Sequence, residues 1–284
     1  MTTQDEQHAL WNGPAARGWI AAQDALDQMY QPFEDFLAAA AAEIAGGRVL
    51  DIGCGTGSTT RAAARGAAGH CLGVDISAPM IAAAQARAEQ EAAPASFVCA
   101  DAETYAFASA SFDLLMSRFG TMFFADPVRA FANLRGAARD GARLLVFAWR
   151  GPAENLFMTA AEQAAAPLLP RAVSRRAPDA PGPFAFADPG RVRVILEKSG
   201  WADIEIRPMD VDCSFPESAL VHYLTWMGPI GRILQDADAP TRTKVVDTVR
   251  AAFDIFVQGD EVRFNAACWK IDARAGRGIA ALPV

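Results

Sequence analysis

Between residues 48 and 149 the chain alternates short apolar runs with segments of helical pattern: "RVLDIG", "STTRAAARG", "HCLGVD", "SAPMIAAAQARAEQEA", "ASFVCAD", "FDLLMS", "DPVRAFANLRGAARDG" and "ARLLVFAW". Five strands and their four connections within about 100 residues demand a parallel sheet covered on both faces, because parallel neighbours need long right-handed crossovers. Local chemistry marks the boundaries. Ser77 can cap a helix with Pro79 in its first turn, and Asp126 one that begins at Pro127. Gly66 fits a left-handed helix end, and Asp140-Gly141 a turn before the fifth strand. The connection over 101–111 lacks a strong helical signal.

The flanks read differently. Residues 15–45 are Ala-rich, with Trp19, Leu26, Met29, Phe33, Phe36 and Leu37 at helical spacing, and Pro32 is expected to separate two helices. After Trp149, prolines at 152, 167, 170, 178, 181, 183 and 189 imply a short helix over 154–166 and then an irregular segment. "PGRVRVILEKSG" reads as a helix ended by Gly200, "ADIEIRPMDVDCSF" as a strand, 217–257 as a helical excursion, "EVRFNAACWKIDA" as a final strand and "GRGIAALPV" as a loose tail. The chain divides accordingly into N-terminal helices (1–44, a candidate lid), an α/β core (45–150), a cap insertion (151–190), a core helix and strand (191–216), a helical cap insertion (217–258) and a final strand with tail (259–284).

A net charge of −7 and a pI near 5.1 argue against nucleic acid and anionic membrane surfaces, both of which need a basic footprint; a small-molecule ligand fits better. No run is apolar enough for a membrane span, and the start lacks the pattern of a signal peptide. Cys54, Cys71, Cys99, Cys213 and Cys268 show no metal-ligand spacing, so no metal is expected, and they suit reduced thiols in a cytoplasmic protein.

Ligands of open α/β sheets bind beyond the carboxyl ends of the strands. That rule selects Asp51 to Gly57, Asp75 and Ile76, Asp101 and Ala102, and Ser117 to Phe119. "GCGTGS" has no lysine for a triphosphate loop, and Ser58 stands where a dinucleotide motif has its third glycine. Asp75, 18 residues past Gly57, can accept from both hydroxyls of a ribose. Asp101 can accept from an adenine amino group while the Ala102 amide faces a ring nitrogen. Asp51 beside the glycines disfavours a pyrophosphate and suits an ammonium or sulfonium.

"VLDIGCGTG", "GVDIS", "ADAE" and "FDLLMSRFG" together resemble the successive motifs of class I S-adenosylmethionine-dependent methyltransferases, in particular the ubiquinone/menaquinone-biosynthesis-like small-molecule group, over residues 45–150. "GPFAFADPGRVRVILEKSGW" and "LWNGPAARGWIAAQDALDQMYQPF" are similar to later and earlier parts of related proteins. The resemblance implies a Rossmann-like, seven-stranded, mostly parallel sheet with the last strand antiparallel and helices on both faces, plus helical cap elements. It implies S-adenosyl-L-methionine as cofactor, with S-adenosyl-L-homocysteine as product. By position, Gly53, Cys54 and Gly55 would pass the methionine part, Asp75 the ribose, Ile76 and Met80 the adenine faces, and Asp101 and Ala102 its edge. The Ser117 region would receive the ammonium, and Arg118, Phe119 and Met122 would face the acceptor. Trp11, Asn12, Gly13 and Trp19 would lie over the cofactor as a lid or, equally, anchor a helix pair.

The expected activity is methyl transfer to a small, partly apolar metabolite. "SRFG" in place of the N/D-P-P-Y/F of base and amide N-methylation points toward a metabolite and leaves O, C and N acceptors open, with O or C favoured. An NAD-dependent oxidoreductase and a non-catalytic adenosyl-binding protein are the alternatives, and the chain could be a monomer or a homodimer. Cys54 reads as a small buried residue rather than a nucleophile, and Arg118 as either an anion-binding group or half of an internal ion pair. His8 and His70 read as structural, which leaves His222, Tyr223 and Arg118 as the catalytic candidates.

Overall fold

The computed structural model describes residues 2–44, 46–67, 69–169, 177 and 179–276. Four helices precede the sheet: α1 (Thr3–Trp11), α2 (Pro14–Ala21), α3 (Gln23–Met29) and α4 (Gln31–Ala42). The α/β alternation then follows as β1 (Arg48–Ile52), α5 (Ser58–Ala67), β2 (His70–Asp75), α6 (Ala78–Gln90), β3 (Ala95–Cys99), β4 (Phe112–Arg118), α7 (Pro127–Ala137) and β5 (Ala138–Trp149). Beyond it lie α8 (Leu156–Ala165), α9 (Pro189–Lys198), β6 (Trp201–Pro216), α10 (Leu220–Trp226), α11 (Gly228–Asp236), α12 (Ala239–Ala252), β7 (Val257–Gln258) and β8 (Glu261–Ala275).

All of the strands join one sheet in the order β3-β2-β1-β4-β5-β8-β6, with β7 paired to β8. Strands β1 to β5 run parallel, and β8 enters antiparallel between β5 and β6. The expected seven strands become eight, because the two residues of β7 fold back on β8 through a turn at Gly259 (φ +65°). Strand order reverses between β1 and β4, so the crevice lies at Gly53 and Gly120, as the switch-point rule requires.

Ser77 and Asp126 cap α6 and α7 by accepting from the amides of Met80 (3.4 Å) and Arg129 (3.0 Å), and Gly200 takes a positive φ of +83° after α9. Three local expectations change. Gly66 lies inside α5 with no left-handed conformation. Asp140-Gly141 does not precede β5 but lies within it: Gly141 (φ +77°) sits where the β4 to β5 register jumps from Phe112↔Ala138 to Leu114↔Arg143, so the turn chemistry makes a bulge. Residues 14–42 form three helices rather than two, with an added break at Ala22 and Pro32 in the first turn of α4. After Gly276 the tail lies outside the described residues, as do Pro170 and Pro178.

One apolar core runs through both faces of the sheet and includes Leu50, Leu114, Phe147, Phe33, Phe131 and Phe215. The segment between β5 and α8 is fastened to β8 by Asn155, which is 1% exposed: its amide nitrogen donates to the Ala267 carbonyl at 3.0 Å and its oxygen accepts from the Ala267 amide at 3.0 Å. Replacing Asn155 with Ala removes the acceptor of a buried backbone N–H, so a loss of about 2 kcal/mol in unfolding free energy is expected by urea denaturation. An unchanged midpoint would contradict the tie.

Candidate functional site

Each glycine of the first loop has its own reason to be glycine. A Cβ on Gly53 (φ +65°) would stand 2.7 Å from Gly120 Cα, and one on Gly57 (φ +79°) 2.8 Å from the Phe97 ring. Gly55 (φ +55°) meets only Trp19 Nε1 at 3.7 Å and Met80 Sδ at 3.9 Å. Gly53 and Gly57 therefore serve packing, and Gly55 presents its open face to the crevice beneath Trp19.

The acids hold this loop. Asp75 accepts from the Gly55 amide (2.8 Å) and the Ser77 amide (2.9 Å), one on each oxygen. Burial pushes its carboxyl up to about 6, against the pull of those two amides. Asp51 is fully buried; one of its oxygens accepts from both Thr59 and Thr60 hydroxyls at 2.6 Å, and the other has no partner. Burial raises its pKa despite those hydroxyls and the nearby Arg118. Asp101 accepts from the Glu103 amide (2.9 Å) and from the Gln4 side chain of α1. A groove of about 330 Å³ lies there, lined by Gln4, Asp5, His8, Ile76, Cys99, Ala100 and Asp101. Asn12 spans the same rim, donating to the Ile76 carbonyl (3.0 Å) and accepting from the Ala78 amide (2.9 Å). Another depression, of about 380 Å³ around Asp140, Asp203 and Arg274, lies at the amino ends of the parallel strands and has none of this chemistry.

At the end of β4, the Ser117 hydroxyl donates to the Ile52 carbonyl (2.7 Å) and accepts from the Gly120 amide (3.2 Å), joining the two loops of the crevice. Arg118 donates to Ser58 at 3.1 Å, lies 5.5 Å from the Tyr30 ring centroid and keeps one buried guanidinium nitrogen unpaired. Glu34 of α4 is its electrostatic neighbour, and burial raises the Glu34 pKa. Phe119 takes a positive φ (+62°), unusual for a side-chain-bearing residue, and stacks on Trp149 with ring centroids 4.2 Å apart. Met122 is 1% exposed, and its sulfur accepts the Trp149 amide at 3.3 Å.

The structure thus gathers Asp51, Gly53, Cys54, Gly55, Asp75, Ile76, Met80, Asp101, Ala102, Ser117, Arg118 and Trp19 around one crevice. Cys54 is buried, with burial first and then the Asp75 and Asp51 charges pushing its thiol pKa up. His222 is exposed and bonds the Ala21 carbonyl at 2.7 Å, a strut between α10 and the N-terminal helices; Tyr223 points the other way, against Phe157 and Phe215. Sequence reasoning missed Gln4, Thr59, Thr60, Glu34 and Glu103. Of these only "STT" at the mouth of α5 carried a local signal. Among the described residues no helix is long and apolar enough to cross a membrane, and no group of acids, cysteines and histidines could hold a metal ion.

A buried acid and a half-buried cation, each with one buried and unsatisfied atom, flank a glycine loop that opens under an indole, and two further acids follow on neighbouring strand ends. Open α/β sheets bind their ligands in such a crevice, beyond the carboxyl ends of the strands where their order reverses. A methyltransferase-domain model matches residues 49–141. The demethylmenaquinone methyltransferase of Mycolicibacterium vanbaalenii is 31% identical over 169 residues, covering 56% of this chain and 70% of that protein. The aklanonic acid methyltransferase DauC of Streptomyces sp. strain C5 is 38% identical over 104 residues, 36% of this chain and 47% of that protein, so there the match spans about half of the relative. The YcgJ protein of Bacillus subtilis shares the fold with a TM-score of 0.57 at 17% identity, over 87% of this chain and 100% of that one. The chain belongs to the class I S-adenosylmethionine-dependent methyltransferases of the ubiquinone/menaquinone type, whose cofactor is S-adenosyl-L-methionine.

The raised pKa of Asp75 has a thermodynamic consequence. Its folded value of about 6 lies above the unfolded value of about 4, so between these the folded state holds a proton that the unfolded chain has released. This group's contribution to stability therefore falls as pH rises through that window, with a slope of up to about 1.4 kcal/mol per pH unit, and is constant above it. In the unliganded protein, Asp75→Ala is expected to remove that component of the slope across pH 4 to 6 in urea titrations, whatever it does to the absolute level. Parallel curves for the two proteins would contradict the buried titration.

Proposed function

We propose that the protein transfers a methyl group from S-adenosyl-L-methionine to a small, partly apolar metabolite, with an oxygen or carbon acceptor favoured and nitrogen open. The observation that carries this reading is the pair of opposite-signed groups, each with one buried and unused atom: the Asp51 oxygen and a nitrogen of the half-buried Arg118. Leaving such atoms unpaired costs on the order of 1–3 kcal/mol each, and a zwitterionic amino-acid end satisfies both. A pyrophosphate would meet the Asp51 and Asp75 carboxylates instead, which disfavours the dinucleotide alternative.

Under this reading Asp51 and the Ser117 region take the ammonium, Arg118 takes the carboxylate, and the backbone of Gly53, Cys54 and Gly55 lets the chain of the amino acid pass. Asp75 has a lone pair left on each oxygen for ribose hydroxyls. Ile76 and Met80 flank the base, while Asp101 and Ala102 read its edge, with Asp101 exchanging its Gln4 partner for the exocyclic amine. Trp19 covers the loop, and Trp11 packs on Phe123 (4.9 Å) and Trp19 (6.5 Å), excluding water from above. When bound, the cofactor supplies a methyl already activated by a sulfonium. The protein's own part is then alignment in a dry pocket, for which effective molarities reach about 10⁵ M or more.

Calorimetry with S-adenosyl-L-methionine tests the reading. Wild type is expected to bind, and Asp75→Ala to lose about 1.5–3 kcal/mol, roughly 10- to 150-fold, the scale of a charge-assisted hydrogen bond. Unchanged affinity, or stabilisation by NAD in place of the adenosyl ligand, would sink it. Label appearing in an extracted metabolite pool from methyl-labelled cofactor, only when protein is present, separates an enzyme from a non-catalytic binder.

A further inference from the structure

Gln7 is the one buried residue of α1, at 8% exposed, and the Oε1 of its side-chain amide has no hydrogen-bond partner among the described residues. The residues on either side of it along the same helical face are both engaged. Three positions earlier Gln4 donates to Asp101, and four positions later the Trp11 ring meets Phe123 edge-on at 4.9 Å. Side chains three and four apart share a face of a helix, so Gln7 projects between those two contacts, toward the rim that Asp101 and Phe123 mark. Asn12 fixes the far end of the helix by bonding Ile76 (3.0 Å) and Ala78 (2.9 Å). Where packing alone is at stake a helix buries apolar side chains, and a buried amide oxygen without a donor destabilises the state in which it stands.

Asp101 shows which chemistry would complete that oxygen. One carboxylate oxygen is anchored within its own turn by the Glu103 amide (2.9 Å), and the other, turned to α1, is met by the –NH2 of the Gln4 side chain. A primary amide therefore already stands where an amine would meet Asp101, at the groove between α1 and the end of β3. An exocyclic aromatic amine carries two N–H donors; Asp101 takes one and leaves the second for a neighbouring acceptor. We infer that Gln7 is that acceptor: the adenine amine of the cofactor displaces Gln4 and bridges Asp101 and Gln7 Oε1, which makes α1 a specificity element for the base. The inference rests on the methyltransferase reading and adds to the site a residue from outside the sheet. Gln7 touches the base alone and takes no part in the transfer.

The test is calorimetry on the full chain with two probes, S-adenosyl-L-homocysteine and its analogue carrying one methyl on the exocyclic amine, which keeps a single N–H. Wild type is expected to bind the unmethylated probe about 3- to 10-fold more tightly. Gln7→Met keeps the length of the side chain and removes the acceptor. It is expected to lose about 3- to 10-fold in affinity for S-adenosyl-L-homocysteine and none for the methylated probe, so that the preference disappears, while its urea midpoint without ligand is equal to or above that of wild type. Gln4→Ala, which frees Asp101, is expected to bind S-adenosyl-L-homocysteine at least as tightly as wild type and to keep the preference. Unchanged affinity of Gln7→Met for S-adenosyl-L-homocysteine, equal loss of both probes, or a lowered midpoint overturns the assignment and leaves the methyltransferase reading standing. A wild type that binds neither probe overturns both.

Discussion

The close approach of Gly53 and Gly120 is the constraint on which the crevice depends. A Cβ on either would lie under 3 Å from the other's backbone: 2.7 Å from Gly120 Cα in one direction and 2.8 Å from Gly53 Cα in the other. The two loops that leave the sheet where its order reverses are thus held in backbone contact, and Ser117 locks them by bonding Ile52 and Gly120 at once. With β1 and β4 fixed there, Asp51 is forced beneath the loop and Arg118 beside it, although neither position is comfortable for a charge.

That discomfort is widespread. Burial raises the pKa of Asp51, Asp75, Glu34 and Glu103, and Arg118 leaves a nitrogen unpaired among them. A fold seeking stability alone would fill such a region with apolar side chains, since isolated buried charges are costly. Under the proposed function this cost falls on the unliganded state and is offset by a ligand of complementary charge. Glu103 differs in kind, since its carboxylate takes the amides of Ala125 and Asp126 and so holds the 101–105 turn against the start of α7.

The loops of the crevice were legible in the sequence because their chemistry is local. A strand ending in Asp, a glycine turn and a capped helix follow one another within a dozen residues, and the spacing to Asp75 and Asp101 repeats the βα rhythm. What stayed hidden depends on distant pairing. Gln4 meets Asp101 across 97 residues, and His222 meets Ala21 across 201. The Asp140-Gly141 turn was visible, yet its meaning depended on β4 pairing to both sides of it. Gly66 was misplaced for the opposite reason: helix packing of α5 on α4 outweighs a single residue's preference, a matter of roughly 1 kcal/mol.

The N-terminal helices and α10 differ because their mutual contacts do not run through the sheet. Gly18 of α2 leaves no room for a Cβ, which would stand 2.4 Å from the Trp226 carbonyl at the end of α10, and His222 adds its bond to Ala21 one turn earlier. These contacts seat α10 on the N-terminal helices directly. Arg118 and Phe119, in contrast, are set by β4 and its bond to Phe147. The sheet can therefore keep the geometry of the crevice while changes in the flanking helices alter what stands above it. Phe119, strained at φ +62°, stacks on Trp149 and meets the Tyr30 ring edge-on at 5.4 Å, so its conformation couples the strand end that carries Arg118 to the N-terminal helices.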